Sequence, residues 1–469
     1  MRFLQVVAFA LIALSLTEGK LFLKKHGLPP AEAPQARAKA PEFGWFKQRL
    51  DHFDTTDNRT WNMRFMNQSQ FFESGAPIFI FLGGEWEISS GYLQTGQMFD
   101  MAADHHGYMF YTEHRFYGKS FPFEDMATDK LKYLTTDQAL ADVAYFITHM
   151  KKTMPGMAKS KVVVVGASYS ASMAIWMRMK YPHLITAALS SSAPIEAVED
   201  YKEYYEVIND NIKLNSAKCL ETIRSGTAAM EDLLEAKWGA DTLKTLLNTC
   251  EPIKIQEPHR SFLFNTIGEV FASLVQYAYV GQIKVECNKL LAKSGSPLEQ
   301  LSSYIRDQYS GDCMGLYDEF LDYFGSPNIT NQIHRQWYYQ TCTEYGYYQT
   351  TTSNNQPFGK TFPLSLYHNI CKDLFGKKFN VDLLQRGINR TNIINGGYKL
   401  EVTNVVSVHG TVDPWHAVGL KQDLNENAPV FIVNGTAHCA DLSSISVNDL
   451  PEMYEAKKRT KQYIAKWLK

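Results

Sequence analysis

Short, continuous apolar runs alternate along the chain with longer stretches in which apolar residues recur every three or four positions. PIFIFLGG (Pro77–Gly84), YMFYTE (Tyr108–Glu113) and KVVVVG (Lys161–Gly166) are β-branched or aromatic runs bounded by Gly or Pro. Such runs are what strands buried on both faces require. Between them TTDQALADVAYFITHMKK (Thr135–Lys152) has a helical period. Strand, helix, strand in this order predicts a parallel sheet covered on both sides, an α/β architecture.

The pattern breaks between 197 and 395, where the composition is helical and β-branched runs are absent. It resumes with VTNVVSVHG (Val402–Gly410) and PVFIVNG (Pro429–Gly435) and closes on an amphipathic helix, PEMYEAKKRTKQYIAKWLK. The expected organisation is a signal segment (1–19), a flexible leader or propeptide (20–42), a first core part (43–196), a helical cap insertion (197–395) and a second core part (396–469). The leader reading rests on the Pro, Ala and Lys of KLFLKKHGLPPAEAPQARAKAPE, which has no apolar period.

Composition narrows the function without naming it. The chain has 469 residues, 45% of them hydrophobic, so a large core is available. Lys and Arg (47) nearly balance Asp and Glu (49), and no basic tract runs along the chain, which argues against nucleic acid. The start, MRFLQVVAFALIALSLTEG, has the charge, the short apolar middle and the small-residue exit of a secretory signal, and its apolar run is shorter than a membrane span. A secreted or lysosomal location is therefore expected, with no membrane anchor. Export makes the sequons at Asn58, Asn67, Asn328, Asn389 and Asn434 glycan acceptors. It also suits disulfides: six of the seven cysteines, Cys219, Cys250, Cys287, Cys313, Cys342 and Cys371, lie in the cap, and Cys439 is left over. Spacing alone leaves 15 pairings open.

The chemistry-bearing segment is KVVVVGASYSASMAIWMRMKYP. A buried strand runs straight into Gly166-Ala167-Ser168-Tyr169-Ser170 and then into a helix. So tight a strand-to-helix turn exposes the central hydroxyl above the sheet edge, at a helix N-terminus that favours developing negative charge. Ser168 is the candidate nucleophile, although Ser170 stands where the usual GxSxG pattern has its last Gly. An N-capping serine is the structural alternative. In the α/β-hydrolase arrangement the acid and the histidine follow on loops after late strands. Asp413, in GTVDPWH, and His438, in NGTAHCADL, occupy those places. His438 would take the Ser168 proton and Asp413 would orient and stabilise the imidazole. Oxyanion donors are expected from Tyr169 N–H and from Gly84 or Glu85, where glycines after a strand serve close backbone approach or simply a tight turn. His105, His106 and His114 lack metal-ligand spacing, and no phosphate or dinucleotide loop is present, so neither metal nor cofactor is expected.

These residues resemble one family: lysosomal Pro-Xaa carboxypeptidase, dipeptidyl peptidase II and thymus-specific serine protease. The likeness runs through QRLDHFD at Gln48, EHRFYGKSFPF at Glu113, YLTTDQALAD at Tyr133, GASYSASMAIWMRMKYPHL at Gly166, SSAPIEAV at Ser191, WYYQTCTEYGYYQT at Trp337, GTVDPWH at Gly410 and TAHCADL at Thr436. It implies an α/β-hydrolase core with a disulfide-bonded helical cap, a triad of Ser168, Asp413 and His438, and pairings Cys219–Cys287, Cys250–Cys313 and Cys342–Cys371. Relatives commonly carry a second His where this chain has Cys439, and many have Gly at Ala171. The CTEYGYYQT stretch is most like the thymus-specific branch.

The function expected is a serine-type exopeptidase cutting small peptides, with cleavage after proline implied by the resemblance. Trp337, Tyr338, Tyr345 and Tyr347 are either walls of a proline slot or cap core. A carboxylesterase on the same triad and a non-enzymatic binding protein on the same scaffold are the alternatives. Peptide substrates are the expected partners, and monomer and homodimer are both left open.

Overall fold

The computed structural model describes residues 28, 29, 31–329 and 333–469. The segment read as a signal peptide lies outside them. Eight strands form one sheet in the order β1 (Glu42–Arg49), β2 (Thr60–Gln68), β4 (Tyr108–Thr112), β3 (Ile78–Leu82), β5 (Val162–Ala167), β6 (Ala187–Ser191), β9 (Val405–Gly410), β10 (Val430–Val433). From β4 to β10 all pairings are parallel, and β2 joins β4 antiparallel, as β1 joins β2. The parallel sheet of the sequence reading thus carries an antiparallel hairpin on one edge.

Both faces of the parallel part are dry at its centre. Ile78, Ile80 and Leu82 of β3 with Val162 and Val164 of β5 join one apolar cluster, which takes in α2 (Thr136–Thr153) and α3 (Tyr169–Lys180). The alternate residues Phe79, Phe81, Val163 and Val165 join another, with α1 (Gln97–Asp104) and α14 (Pro451–Leu468). Period-two alternation between two buried faces is why these strands read as unbroken apolar runs. This is an α/β-hydrolase core.

Between β6 and β9 the chain forms a cap of ten helices among the described residues: α4 (Glu203–Asn215), α5 (Ala217–Leu234), α6 (Gly239–Leu247), α7 (His259–Gln276), α8 (Gln282–Leu291), α9 (Pro297–Gln308), α10 (Tyr317–Gly325), α11 (His334–Gln340), α12 (Leu364–Phe375) and α13 (Val381–Asn395). A two-stranded sheet, β7 (Val198–Asp200) with β8 (Gly346–Tyr348), ties the start of the cap to its middle. Cys219–Cys287, Cys250–Cys313 and Cys342–Cys371 are bonded, the pairs that the resemblance implied, and Cys439 is a free, buried thiol.

Residues 31–41, read as leader, lie along the core. Gln35 Nε2 donates to Asp100 Oδ1 (2.8 Å) and Ser444 Oγ (3.1 Å), and the Gln35 N–H bonds Gln94 O (3.1 Å). Extended Pro- and Ala-rich backbone satisfies its polar groups against a partner surface as well as in water. Among the described residues, no helix is long and apolar enough to cross a membrane.

The hairpin and α2 are locked by one buried cation. Arg115, wholly buried, makes two bonds to the Asp142 carboxylate (2.6 and 2.7 Å) and donates to the Leu50 and Tyr133 carbonyls (3.1 and 3.0 Å). Arg115→Met leaves Asp142 buried with only His52 beside it (2.8 Å). The expected loss is about 3–5 kcal/mol of stability, measured by denaturant unfolding. A change under about 1 kcal/mol would show that the pair is energetically idle.

Candidate active site

Ser168 closes β5 and opens α3 with φ 53° and ψ −129°, a conformation that strains any L-residue. The turn is held on both sides. Ser168 N–H donates to Ser191 O at the end of β6 (2.9 Å), and Ser168 O accepts from Ala171 N–H (2.9 Å). Gly166 has no alternative: a Cβ there would lie 2.0 Å from Ser170 O. Ser170, the departure from GxSxG, is wholly buried, and its hydroxyl folds back on Ala167, accepting from N–H and donating to O at 3.0 Å each. The extra side chain is thereby accommodated inside the turn.

Asp413 and His438 stand at the ends of β9 and β10. His438 Nδ1 donates to Asp413 Oδ2 (2.9 Å), both side chains at 0% exposure. Asp413 Oδ1 accepts from Trp415 N–H (3.0 Å), which fixes the carboxylate edge-on. Burial works against its charge. The neighbouring imidazole, the Trp415 N–H and the Ser192 hydroxyl outweigh this and hold Asp413 below the usual carboxylate range. Burial also works against the imidazolium, but Asp413 and the adjoining Cys439 hold His438 well above the ordinary histidine value. With Nδ1 committed to Asp413, Nε2 is the ring nitrogen left open: among the described residues it has no hydrogen-bond partner. Ser168 and His438 are not joined by a hydrogen bond here, but both are anchored to the tip of β6. Ser168 hangs from Ser191 O, while Cys439 N–H donates to Ser192 Oγ (2.9 Å) and Cys439 Sγ points at Ser191 O (3.7 Å).

The cap supplies parts of this site that the sequence did not disclose. Gln276, the last residue of α7, is 3% exposed and holds both late loops. Its backbone O accepts from His438 N–H (3.0 Å), and its Oε1 accepts from Trp415 Nε1 (3.1 Å) and Tyr204 O–H (2.7 Å). Tyr277 then meets the His438 ring edge-on at 5.9 Å. Nothing in the local pattern of α7 marks Gln276. A second network runs under Tyr169: Gln340 Nε2 donates to Tyr169 Oη (3.2 Å), which reaches His114 Nε2 (3.1 Å), while His114 Nδ1 faces Arg115 O (2.8 Å). Burial pushes His114 down to about 4, so the ring is neutral, protonated on Nδ1 and accepting the tyrosine proton on Nε2. His114 belongs to the quoted EHRFYGKSFPF stretch, where its role was legible only as a poor metal ligand.

After β3, Gly83 N–H is engaged by Thr112 O (2.8 Å), and no such bond holds Gly84 among the described residues. Glu113, paired with Arg64 (2.5 Å), accepts from Ile88 N–H (3.1 Å) and so pins the far side of this loop. Glu85 is buried, and burial raises its carboxyl to about 7. Trp337, Tyr345 and Tyr347 stack in series, with centroids 6.2 and 5.6 Å apart, and Tyr169 abuts Trp337 at 5.9 Å. Tyr338 lies one layer out, against Phe320. Among the described residues, no cluster of His, Cys, Asp and Glu could hold a metal ion. Asn58, Asn328, Asn389 and Asn434 are exposed, whereas Asn67 is half-buried and its Oδ1 takes the Tyr108 hydroxyl (2.7 Å).

Residues 48–460 match the family model described as serine carboxypeptidase S28. A Caenorhabditis elegans relative carrying a serine-protease name is 33% identical over 90% of this chain and 87% of its own. The thymus-specific serine protease of Mus musculus is 29% identical over 92% of this chain and 88% of its own length. For the lysosomal Pro-X carboxypeptidase of Homo sapiens the figures are 27%, 94% and 90%. The chain belongs to the serine carboxypeptidase S28 family and is a serine-type peptidase.

Proposed function

We propose that the protein is a secreted or lysosomal exopeptidase in which Ser168 is the nucleophile, His438 the general base and acid, and Asp413 its orienting partner. The observation that carries this reading is the buried Asp413–His438 pair with Nε2 left open, beside a serine held in a strained elbow. Nε2 takes the Ser168 proton as Oγ attacks the scissile carbonyl, then returns it to the leaving amine. Water, deprotonated by the same imidazole, hydrolyses the acyl-enzyme. Tyr169 N–H and Gly84 N–H stabilise the oxyanion; the Glu85 N–H, turned towards its own carboxyl, is the weaker candidate.

Exopeptidase action follows from enclosure. Ser168 is 8% exposed and the His438 side chain 0%, under Tyr277 and the end of α7. A chain end reaches such a site, whereas a folded loop does not. The Tyr169–Trp337–Tyr345–Tyr347 stack is rigid and apolar, which suits a proline ring in the acyl part of the substrate. The names of the relatives, lysosomal Pro-X carboxypeptidase among them, support that preference and an endolysosomal or secreted destination.

Ser168→Ala is expected to reduce turnover of proline-containing peptides by roughly 10⁴-fold or more, with unchanged unfolding. Esterase turnover without peptide cleavage in the native enzyme would reassign the bond. Gln276→Leu strands the Trp415 and Tyr204 donors, and the expected result is a fall in kcat larger than any rise in KM, largely rescued by Gln276→Glu, which keeps the acceptor. Equal losses in both variants would mean that Gln276 serves packing alone.

Stability has a pH signature. Burial raises Glu85 and Glu344 to about 7 and Asp441 to about 6. The folded state therefore binds protons that the unfolded state has lost, and this stabilisation is complete at low pH and disappears as pH rises through 6 to 7. Burial lowers His114 and His409 to about 4, which removes stability as pH falls from 6.5 towards 4. The melting temperature is expected to rise from pH 8 to about 6, flatten, and fall below about 4.5. Scanning calorimetry across this range checks it, and a maximum at pH 8 would contradict it.

A further inference from the structure

The tip of β6 carries three buried serines in a row, Ser190, Ser191 and Ser192. Ser191 lies between the strands that lead to the proposed nucleophile and its acid, paired with Ala167 of β5 on one side and Val408 of β9 on the other. Its carbonyl accepts from Ser168 N–H (2.9 Å), so the elbow hangs from Ser191 by backbone. Its hydroxyl donates to Asp441 Oδ1 (2.5 Å), on the far side of the cap in sequence. Asp441 is 2% exposed and sits in the turn Ala440–Leu442, directly after His438 and Cys439. One residue therefore holds the elbow through its backbone and the histidine loop through its side chain. Ser192 braces the same loop by accepting from Cys439 N–H (2.9 Å), while its own N–H is engaged by Val408 O (2.8 Å).

The fold of the loop has other supports. Gln97 Nε2 of α1 donates to the Asp441 carbonyl (2.6 Å), and the buried Lys457 ammonium of α14 donates to Ser443 Oγ (2.6 Å) and Ser444 O (3.1 Å). Replacing both partners of a buried polar pair by apolar groups is often neutral or stabilising, so stability alone gives little reason for a carboxyl at Asp441. What the carboxyl provides, and an apolar side chain cannot, is a fixed distance to one hydroxyl. That distance bears on the chemistry. His438 Nε2 is not bonded to Ser168 in this structure, and proton transfer from Oγ to Nε2 needs the two within roughly 2.6–3.2 Å. A small drift of either loop lowers the rate steeply. Resting on the Ser168–His438 reading above, we propose that Asp441 is a positioning residue: through the Ser191 hydroxyl it ties the His438 loop to the strand tip from which Ser168 hangs, and so sets the separation of base and nucleophile.

The test compares the native enzyme with Ser191→Ala, Asp441→Leu, Asp441→Asn and the double variant Ser191→Ala/Asp441→Leu. It reads kcat and KM on a proline-containing peptide, the rate at which a fluorophosphonate labels Ser168, and the unfolding temperature. Ser191→Ala and Asp441→Leu should each lower kcat and the labelling rate by roughly 10- to 100-fold, with KM within about threefold of native, as lost alignment requires. The double variant should be no slower than the slower single one, because both changes cut the same tie. Asp441→Asn keeps an acceptor for the Ser191 hydroxyl and should recover most of what Asp441→Leu loses. Ser191→Ala removes a single oxygen, so it reads the tie even where Asp441→Leu lowers the unfolding temperature. A folded Asp441→Leu with native kcat and labelling rate overturns the proposal, as do losses that multiply in the double variant. Asp441→Asn as slow as Asp441→Leu also overturns it, since a charge near His438 and not the tie would then matter. A native enzyme that neither cleaves peptide nor is labelled at Ser168 overturns the reading beneath it.

Discussion

The constraint on which the site depends is the burial of an ion pair. Asp413 and His438 have no exposed side-chain surface, and two buried charges are tolerated only when further hydrogen bonds around them offset the loss of water, even though His438 Nε2 itself stays open. The core supplies part of this through Trp415 N–H and Ser192. The cap supplies the rest. Gln276 fixes the backbone of His438 and the indole of Trp415, and Tyr201 donates to Pro414 O (2.5 Å) next to the acid. The insertion that looks like a lid is thus structural support for the two loops that follow it in sequence.

The elbow at Ser168 obeys a related rule at shorter range. Strain at Ser168 persists because its neighbours over-determine it, through Ser191 O on one side and the Gly166–Ser170 contact on the other. A serine in the last position of the elbow is accommodated because its hydroxyl satisfies both polar groups of Ala167. Size and hydrogen bonding therefore trade against each other in this turn, and the GxSxG pattern is one solution among several.

What the sequence disclosed follows from the same physics. β3, β4 and β5 were legible because strands buried on both faces are apolar almost throughout, and β9 and β10 because their β-branched runs persist even where β10, an edge strand, exposes Ile432. β6, AALSS, was not, although it is wholly buried, because small residues under crowded helices carry no β-branched signal. The hairpin of β1 and β2 was missed because its polar–apolar alternation, clearest in the TWNMRF of β2, lacks the continuous apolar run by which the other strands were read. Ser168, Asp413 and His438 could be nominated from motif and chain order, since each sits where a strand ends. Gln276 and Gln340 could not: they act through contacts between segments far apart in sequence, and their local patterns are those of an ordinary helix.

The two networks set a limit on how the cap can move. Lifting it as a rigid body would strip His438 N–H of Gln276 O, Tyr169 of Gln340, and Thr136 of Glu344. Each loss strands a buried polar group at a cost of about 1–3 kcal/mol, and together they approach the stability of a whole domain. They would also release His438 and Tyr169, which the proposed mechanism needs in place. Substrate entry is more economically achieved by small motions at the rim, where the Tyr277 ring meets that of His438 edge-on. Motion confined to the rim leaves the Asp413–His438 pair dry, and under the proposed exopeptidase reading the same enclosure would admit a chain end.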